Sequence, residues 1–485
     1  MNSRLAKAAF WSIAGSGSQY AVVFFLLVYL AHVLGPHDFG LMATVAIGLD
    51  LGTRIARWGQ VELQQQARYR NEQSRNQSLR LSLLIGCGFM LLFLLAARPL
   101  GQLYHSDQLA QMMYLCAPVF LFSAAGSTAE AILRTQFRFK VIAVRNTVTT
   151  LVGAAVAVVL VNLGYGAMAL ALQRVIQAAI AGLWVWTALD WRPSFSRIGS
   201  SPELAREGTN IMLGTLMPLL VPRTVDLFVG FTMGPAALGL MRVGFRVNDF
   251  IGQLVVMPLV SVANTQFSTL HDDLAAMRKN YLRLTQASAV LMCPALIGLS
   301  LVAPEAMPII FGRQWVGSVP FVQVIGLLGI VAPINYYFAP AMMALGQSRM
   351  VFRQGLVQIV LGIALAAAAA QVSLVAVAVA HVIRGAVVAI YNVVDLRRHM
   401  KLRFGDLVWH MAPPYLSTLA MVIAVLVGRL LLGGSVSPLA MLFSLSALGA
   451  FAYSVTLGLG GRLRLWPAHA SALPRQIFRR PVPAE

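Results

Sequence analysis

Residues 81–97 read LSLLIGCGFMLLFLLAA, a run of seventeen residues without a charged side chain, flanked by Arg80 and Arg98. A helix of about 20 apolar residues is long enough to cross the hydrocarbon core of a bilayer. Comparable runs recur along the chain from Ala8 to Gly460. The stretch predicts a membrane-spanning helix, and its repetition predicts an all-α polytopic membrane protein.

The composition agrees with this fold class. Of the 485 residues, 58% are apolar and 11% are charged, whereas soluble domains carry about 25% charged residues. Cys87, Cys116 and Cys293 each lie inside an apolar run and show no C-x-x-C spacing. A disordered chain, a nucleic-acid-binding domain and a disulfide scaffold are therefore excluded.

Apolar runs separated by polar or Gly/Pro-containing breaks predict about fourteen transmembrane helices. The longest inner loop, residues 58–79, is polar, and we expect part of it to form a surface helix. The predicted spans lie near residues 8–34, 40–57, 80–97, 112–133, 141–161, 167–189, 209–231, 236–262, 284–303, 319–345, 353–371, 373–394, 411–433 and 436–460.

The basic residues predict the orientation of these spans. With the N-terminus in the cytoplasm, the inner segments hold 28 of the 37 Lys and Arg residues, and the outer loops hold only Arg98, Arg313 and Arg429. Because basic loops remain on the cytoplasmic side of a membrane, both termini are predicted to be cytoplasmic. The net charge of +20 then requires no nucleic acid as a partner.

The two halves of the chain contain similar segments in the same order. LGPHDFGLM at 34–42 and MGPAALGLM at 233–241 share five of nine residues, and RVIQAA at 174–179 is echoed by HVIRGA at 381–386. The offset stays between 199 and 211 residues, since Gln136 and Arg138 are repeated as Gln347 and Arg349. This spacing predicts a duplicated six-helix unit whose copies run in the same direction through the membrane.

The duplication predicts five segments. They are an N-lobe of helices 1–6 at residues 1–190, a cytoplasmic loop at 191–206, a C-lobe of helices 7–12 at 207–396, two further helices at 397–460, and a basic cytoplasmic tail at 461–485.

Charged residues inside the predicted spans mark the candidate site. Each arginine costs about 2.5–3.5 kcal/mol at the centre of a membrane, so such residues face a wet cavity or a partner. The three acidic residues are Asp50, Asp226 and Asp249, for charge balance or ion coupling. The six basic residues, the predicted substrate-binding set, are Arg54, Arg174, Arg223, Arg242, Arg246 and Arg384.

Two interpretations of this set remain open. The aspartates could simply neutralise neighbouring arginines, since Asp50 precedes Arg54 by four residues and Arg223 precedes Asp226 by three. Six cations against three acids instead favour a cavity that holds an anion. Arginine suits a diphosphate because its planar guanidinium group stays charged and donates pairs of hydrogen bonds to the phosphate oxygens. Arg242, Arg246 and Asp249 share one helical face.

Other charged residues are interpreted as structural. His381, one turn from Arg384, is typical of packing or hydrogen bonding, with a proton relay as the alternative. Glu130 and Arg134 are expected to form a pair at the membrane interface.

No phosphate-binding loop, HExxH motif or cluster of metal ligands is present in the sequence. No catalytic residue, metal site or cofactor is predicted, with H⁺ or Na⁺ as candidate coupling ions.

Five segments resemble a known family. The chain resembles the Wzx-like polysaccharide flippases of the polysaccharide transporter family, within the multidrug/oligosaccharidyl-lipid/polysaccharide (MOP) exporter superfamily, over about residues 5–400. The segments are LGPHDFGLMA at 34–43, ILRTQFRFKVIAVRN at 132–146, NLGYGAMALALQRV at 162–175, VDLFVGFTMGPAALGLMRVGFRV at 225–247 and LVAPEAMPIIFGRQWVGSVPFVQVIGL at 301–327.

The resemblance implies a MATE-like fold of two six-helix lobes around a cavity that opens alternately to each side of a bacterial cytoplasmic membrane. It implies an oligosaccharide on an undecaprenyl diphosphate carrier as substrate, for exopolysaccharide or lipopolysaccharide assembly. Expected partners are this lipid-linked oligosaccharide, membrane lipids and a polysaccharide polymerase or export complex. Asp226 and the turn at Gly234 and Gly239 match the family's pattern best.

Three alternatives have distinct requirements. A MATE-type drug or cation antiporter needs a net acidic interior, opposite to the charge balance here. A flippase for the peptidoglycan lipid precursor would use the two extra helices at 397–460. A membrane glycosyltransferase or polymerase needs acidic residues on large outer loops, which the sequence lacks.

Overall fold

The computed structural model describes residues 22–194, 201–270, 272–432 and 436–462. Within these ranges every regular element is a helix. A chain in a bilayer must satisfy its backbone hydrogen bonds internally, and a helix does so within one segment. The predicted all-α membrane fold is confirmed. Predictions that fall on residues 1–21, which include Arg4 and Lys7, on 195–200 and on the tail 463–485 lie outside the described residues.

Membrane-spanning helices account for most of the described chain. Eleven helices are long and apolar enough to cross a membrane, or twelve if the pair Arg313–Ile325 and Leu328–Ala344, bent by 57°, is one span. The predicted fourteen are consistent with this number. One long observed helix covers two predicted spans, and the first predicted span lies mostly outside the described residues.

The chain forms two compact units, the first of which ends at Arg242. Its core includes Leu41, Met112 and Phe120, which are fully buried between three of its helices. The helices are α1 (Val22–Val33), α2 (Pro36–Ala56), α3 (Gln60–Gln65), α4 (Glu72–Leu103), α5 (Asp107–Cys116), α6 (Pro118–Thr135), α7 (Phe139–Asn162), α8 (Ala167–Thr187) and the beginning of α9 (Pro202–Thr269).

The second compact unit begins at Val243. Tyr281, Tyr337 and Phe338 are fully buried in its largest aromatic core. After the remainder of α9, its helices are α10 (Leu274–Phe311), α11 (Val319–Ile325), α12 (Leu328–Tyr336), α13 (Phe338–Ala344), α14 (Ser348–Ala369), α15 (Leu374–Met400), α16 (Phe404–Leu432) and α17 (Pro438–Arg462).

The outer loop predicted at residues 232–235 is shortened in α9 to a tight turn at Gly234, and the predicted spans on both sides of it are present. Gly234 has a φ of 84° and a ψ of 174°, which are not helical values, and the chain turns back there, since Arg242 after the turn bonds to Asp226 before it. A positive φ favours glycine because it has no Cβ. Pro235 then starts the second arm, at the position in a helix where the missing N–H of proline costs least.

Two other predicted boundaries differ from the structure. Helix α4 begins at Glu72 rather than near residue 80, because the Asn71 side chain caps it by accepting a 2.7 Å hydrogen bond from the Ser74 N–H. The predicted span 112–133 is divided between α5 and α6, with Pro118 at the first position of α6. Inside the polar segment 58–79, the short helix α3 differs from the expected surface helix, because Gln60, Leu63 and Gln64 in it are buried.

Candidate functional site

Helix α2 and the first arm of α9 lie side by side and antiparallel. Residue numbers rise along α2 while those of its partners fall along α9, and both helices were predicted to cross the membrane. We call this pair of helices the α2–α9 seam. The paired residues along it are Gly40 with Pro235, Asp50 with Arg223, and Trp58 with Thr209.

The two copies of the Gly-Pro motif meet at one end of the seam. A Cβ added to Gly40 would lie 1.7 Å from the carbonyl oxygen of Pro235, and a Cβ added to Gly239 would lie 2.0 Å from the carbonyl oxygen of Pro36. The second glycine of each motif therefore faces the proline carbonyl of the other motif. This reciprocal contact, the Gly-Pro crossing, requires glycine on both sides.

Four charged residues form the charge chain Asp50–Arg223–Asp226–Arg242. The first three lie in the middle of the seam, and Arg242 reaches Asp226 from the second arm of α9. The Nη1 of Arg223 donates to Oδ2 of Asp226 at 3.0 Å, and its Nη2 donates to Oδ2 of Asp50. The Nη2 of Arg242 donates to the same oxygen of Asp226. Two arginines face two carboxylates, so the charge chain is neutral as a unit.

The members of the charge chain differ in exposure. The side chain of Asp226 is 2% exposed and that of Arg223 is 14% exposed, whereas Arg242 and Asp50 are 23% and 33% exposed. The Nε of Arg223 is buried and has no hydrogen-bond partner among the described residues. The charge chain thus has a buried carboxylate in Asp226, a partly exposed one in Asp50, and a buried Arg223 Nε without a hydrogen-bond partner among the described residues.

The other end of the seam is closed by apolar packing and exposed ion pairs. Trp58, Leu63, Tyr69 and Leu204 form a buried cluster between the segment after α2 and the start of α9. In a separate contact there, Arg68 pairs with Glu203 at 3.2 Å and with Glu207 at 3.1 Å. In this structure the seam is therefore in contact from end to end.

The structure corrects one predicted pairing. Asp50 pairs with Arg223 of α9 and not with Arg54, which lies one turn along α2. Arg54 and Arg174 are both exposed on the surface of the first unit, and neither forms an ion pair with the part of the chain that the structure describes. The predicted pair of Arg223 and Asp226 is present.

The second unit contains the other predicted residues. Arg246 and Asp249 are exposed on α9 and interact electrostatically with each other. The Nη2 of Arg384 lies 2.9 Å from Nε2 of His381, and the Phe245 ring packs edge-on against the imidazole with centroids 5.0 Å apart. In the described residues, the side chain bonded to Arg384 is therefore an imidazole rather than a carboxylate.

Sequence reasoning missed one buried arginine. Arg145 falls inside the predicted span 141–161 but was counted among the 28 basic residues of the inner segments; it lies in α7, and its side chain is 8% exposed. Both of its terminal nitrogens donate to Oε2 of Glu130 at 3.2 Å, while Arg134 donates to Oε1 at 2.7 Å. The predicted span 141–161 was itself the available signal, since it already placed Arg145 inside a helix.

Solved structures share this fold at low sequence identity. The lipid II flippase MurJ in an inward closed conformation aligns over 94% of this chain and 100% of its own, with a TM-score of 0.74 and 12% identity. An inward-facing multidrug resistance MATE family transporter of the MOP superfamily aligns over 79% of this chain and 94% of its own, with a TM-score of 0.65 and 12% identity. The predicted MATE-like fold is confirmed.

Curated relatives are similar over most of the chain. The succinoglycan biosynthesis transport protein ExoT of Rhizobium meliloti (strain 1021) is 23% identical over 352 residues, which are 72% of this chain and 71% of that protein. The lipopolysaccharide biosynthesis protein WzxC of Escherichia coli (strain K12) is 22% identical over 353 residues, or 71% of this chain and 70% of that protein.

The predicted resemblance is confirmed by a family profile. The profile described as "Polysaccharide biosynthesis protein" matches residues 29–320, which are more than half of the chain and contain the α2–α9 seam. The protein belongs to the polysaccharide biosynthesis protein family.

Proposed function

We propose that this protein is a flippase, and not an enzyme, that moves undecaprenyl-diphosphate-linked oligosaccharide repeat units across the bacterial cytoplasmic membrane by alternating access. The product would enter exopolysaccharide or lipopolysaccharide assembly. The observation that carries the proposal is the set of guanidinium groups inside the membrane-spanning helices. Among the described residues, the side chain that bonds to Arg384 is an imidazole rather than a carboxylate. Transport and biosynthesis of polysaccharides in the names of the relatives support the substrate class.

Guanidinium chemistry favours an anionic headgroup. A diphosphate presents several oxygens that accept paired N–H donors from arginine, in a geometry that a cationic drug does not offer. The fold is shared with a multidrug transporter and a lipid flippase, so the fold does not separate these functions. The candidate site separates them, because its six arginines outnumber its three aspartates and this positive charge disfavours a cationic substrate.

Orientation, coupling and partners follow from the same proposal. The protein is a multi-pass membrane protein, and we place both termini in the cytoplasm on the distribution of its basic residues. H⁺ or Na⁺ exchange at Asp50, Asp226 or Asp249 would couple transport to an ion gradient. Besides its lipid-linked substrate, the protein would contact membrane lipids and a polysaccharide polymerase or export complex.

Deletion of the gene tests the proposal directly. We expect lipid-linked repeat units to accumulate on the inner leaflet and polysaccharide output to fall, with both effects reversed by the wild-type protein. Radiolabelled sugar incorporation followed by lipid extraction measures the intermediates. Unchanged levels of these lipids would defeat the proposal. Rescue of cells depleted of their peptidoglycan-precursor flippase would instead assign that substrate.

Arginine 384 offers a sharper test. We expect Arg384→Gln to lower polysaccharide export at least about tenfold at normal protein level, because a charged hydrogen bond contributes about 1.5–3 kcal/mol. Arg384→Lys keeps the charge but not the planar fork, and should retain part of the activity. Arg397→Gln, on an exposed site of the same helix, is the matched control. Full export by Arg384→Gln would exclude this residue from the substrate path.

A further inference from the structure

Arg223 uses only part of its hydrogen-bonding capacity. Its Nη1 binds Asp226 and its Nη2 binds Asp50, whereas its buried Nε has no partner among the described residues. Nε and Nη2 share one edge of the planar guanidinium, which is an edge that binds oxyanions through two parallel bonds. Asp50 accepts on one oxygen, so this edge is half used.

The two carboxylates on Arg223 are held differently. Asp226 is 2% exposed and accepts hydrogen bonds from two guanidinium groups. If its carboxylate moved away from Arg223 and Arg242, it would be a buried charge without a partner. Asp50 is 33% exposed, and Arg223 is its ion-pair partner among the residues that the structure describes. Breaking the ion pair of Asp50 with Arg223 therefore costs much less free energy than breaking the pair of Asp226 with Arg223.

A diphosphate would compete with Asp50 for the same edge. Two of its oxygens could accept from Nη2 and Nε together and satisfy the donor that Asp50 leaves unused. The charge chain is neutral when it is empty, and binding of a dianion beside Asp50 would place like charges together. Binding of the substrate and pairing of Asp50 with Arg223 are thus mutually exclusive.

From this geometry we infer that Asp50 is a resident competitor, a side chain that occupies Arg223 when the substrate is absent and displaces the diphosphate when it is released. The inference rests on the proposed function and adds to it a residue that governs release. A site whose arginines had no carboxylate partners would bind the headgroup tightly and release it slowly. Asp50 weakens the binding of the diphosphate, so the substrate is released and the next transport cycle can begin.

Binding and transport should respond in opposite directions to Asp50→Asn. We expect the purified full-length variant to bind undecaprenyl diphosphate about tenfold more tightly than the wild type, as measured by calorimetry in lipid nanodiscs, while polysaccharide export in cells falls severalfold. Asp38→Asn makes the same charge change in the first turn of α2, away from the charge chain, and should change neither quantity. Asp50→Ser gives a second variant without the carboxylate.

Each outcome decides the inference. Tighter binding with slower export in either Asp50 variant supports it, provided the protein is monodisperse. Equal or weaker binding, an equal gain in Asp38→Asn, or the absence of measurable binding in all the proteins overturns it. The proposed function fails separately, on unchanged lipid-linked intermediates in the deletion strain. If those intermediates accumulate while the affinities stay equal, only the role of Asp50 is lost.

Discussion

Replacing Gly40 by alanine is expected to abolish export and to reduce the amount of folded protein, whereas replacing Gly35 leaves both nearly unchanged. The added Cβ at Gly40 would lie 1.7 Å from the carbonyl oxygen of Pro235, a backbone atom that no side-chain rotation can move away. The two helices must separate or bend, and overpacking of this kind costs about 1–3 kcal/mol or more. Gly239→Ala should have the same effect, because its Cβ meets the Pro36 carbonyl.

Gly35 is the matched control because it belongs to the same motif. It has no atom within 4 Å of an added Cβ, and its φ of −80° is open to alanine. Membrane protein level, thermal stability in detergent and polysaccharide output would be measured for the three variants. Normal stability and export of Gly40→Ala would show that the Gly-Pro crossing does not need its close approach.

The Gly-Pro crossing shows what a repeat in a sequence can and cannot predict. The match between residues 34–42 and 233–241 was visible, and a duplicated unit was inferred from it. The contact between the two copies was not predicted, because hydropathy and helical periodicity describe one helix at a time. The structure adds a physical reason for the second glycine of each copy, since a Cβ at either position would meet a backbone carbonyl of the other copy.

Hydropathy predicted the membrane-spanning helices well, since a long apolar run in a bilayer has no alternative to a helix or a closed barrel. The ends were less predictable. Polar residues continue α4 back to Glu72 once Asn71 caps it, and hydropathy gives no signal there. The break at Gly234 was predicted as a four-residue loop, whereas the structure turns the chain within the Gly-Pro pair, because the positive φ of one glycine is enough to end the first arm.

The candidate site was predictable in its members and not in its pairs. Residue type and position selected the arginines and aspartates inside the spans. Spacing along one helix favoured Asp50 with Arg54, yet Asp50 pairs with Arg223, which is 173 positions away. Local spacing finds neighbours on the same helix, as it did for Arg223 with Asp226, but a partner on another helix depends on packing that the pattern does not contain.

Arg223 links both carboxylates of the charge chain, and its replacement has the second large expected effect. Arg223→Gln would leave Asp50 without its partner and Asp226, which is 2% exposed, with only Arg242. Breaking a buried ion pair by removing one member costs about 3–5 kcal/mol. We expect low membrane levels, a lower thermal midpoint in detergent and little export. Arg68→Gln is the control, since its exposed pairs contribute at most about 1 kcal/mol.

A double variant separates the structural role of Arg223 from its role in transport. Asp50→Asn combined with Arg223→Gln removes one charge of each sign and leaves the pair of Asp226 and Arg242 intact. Because the charge chain is again neutral, we expect protein level and thermal midpoint to return toward wild-type values. Export should stay low, since the guanidinium edge that would hold the diphosphate is gone. Recovery of export along with stability would mean that Arg223 only holds the helices together, and would remove it from the substrate path.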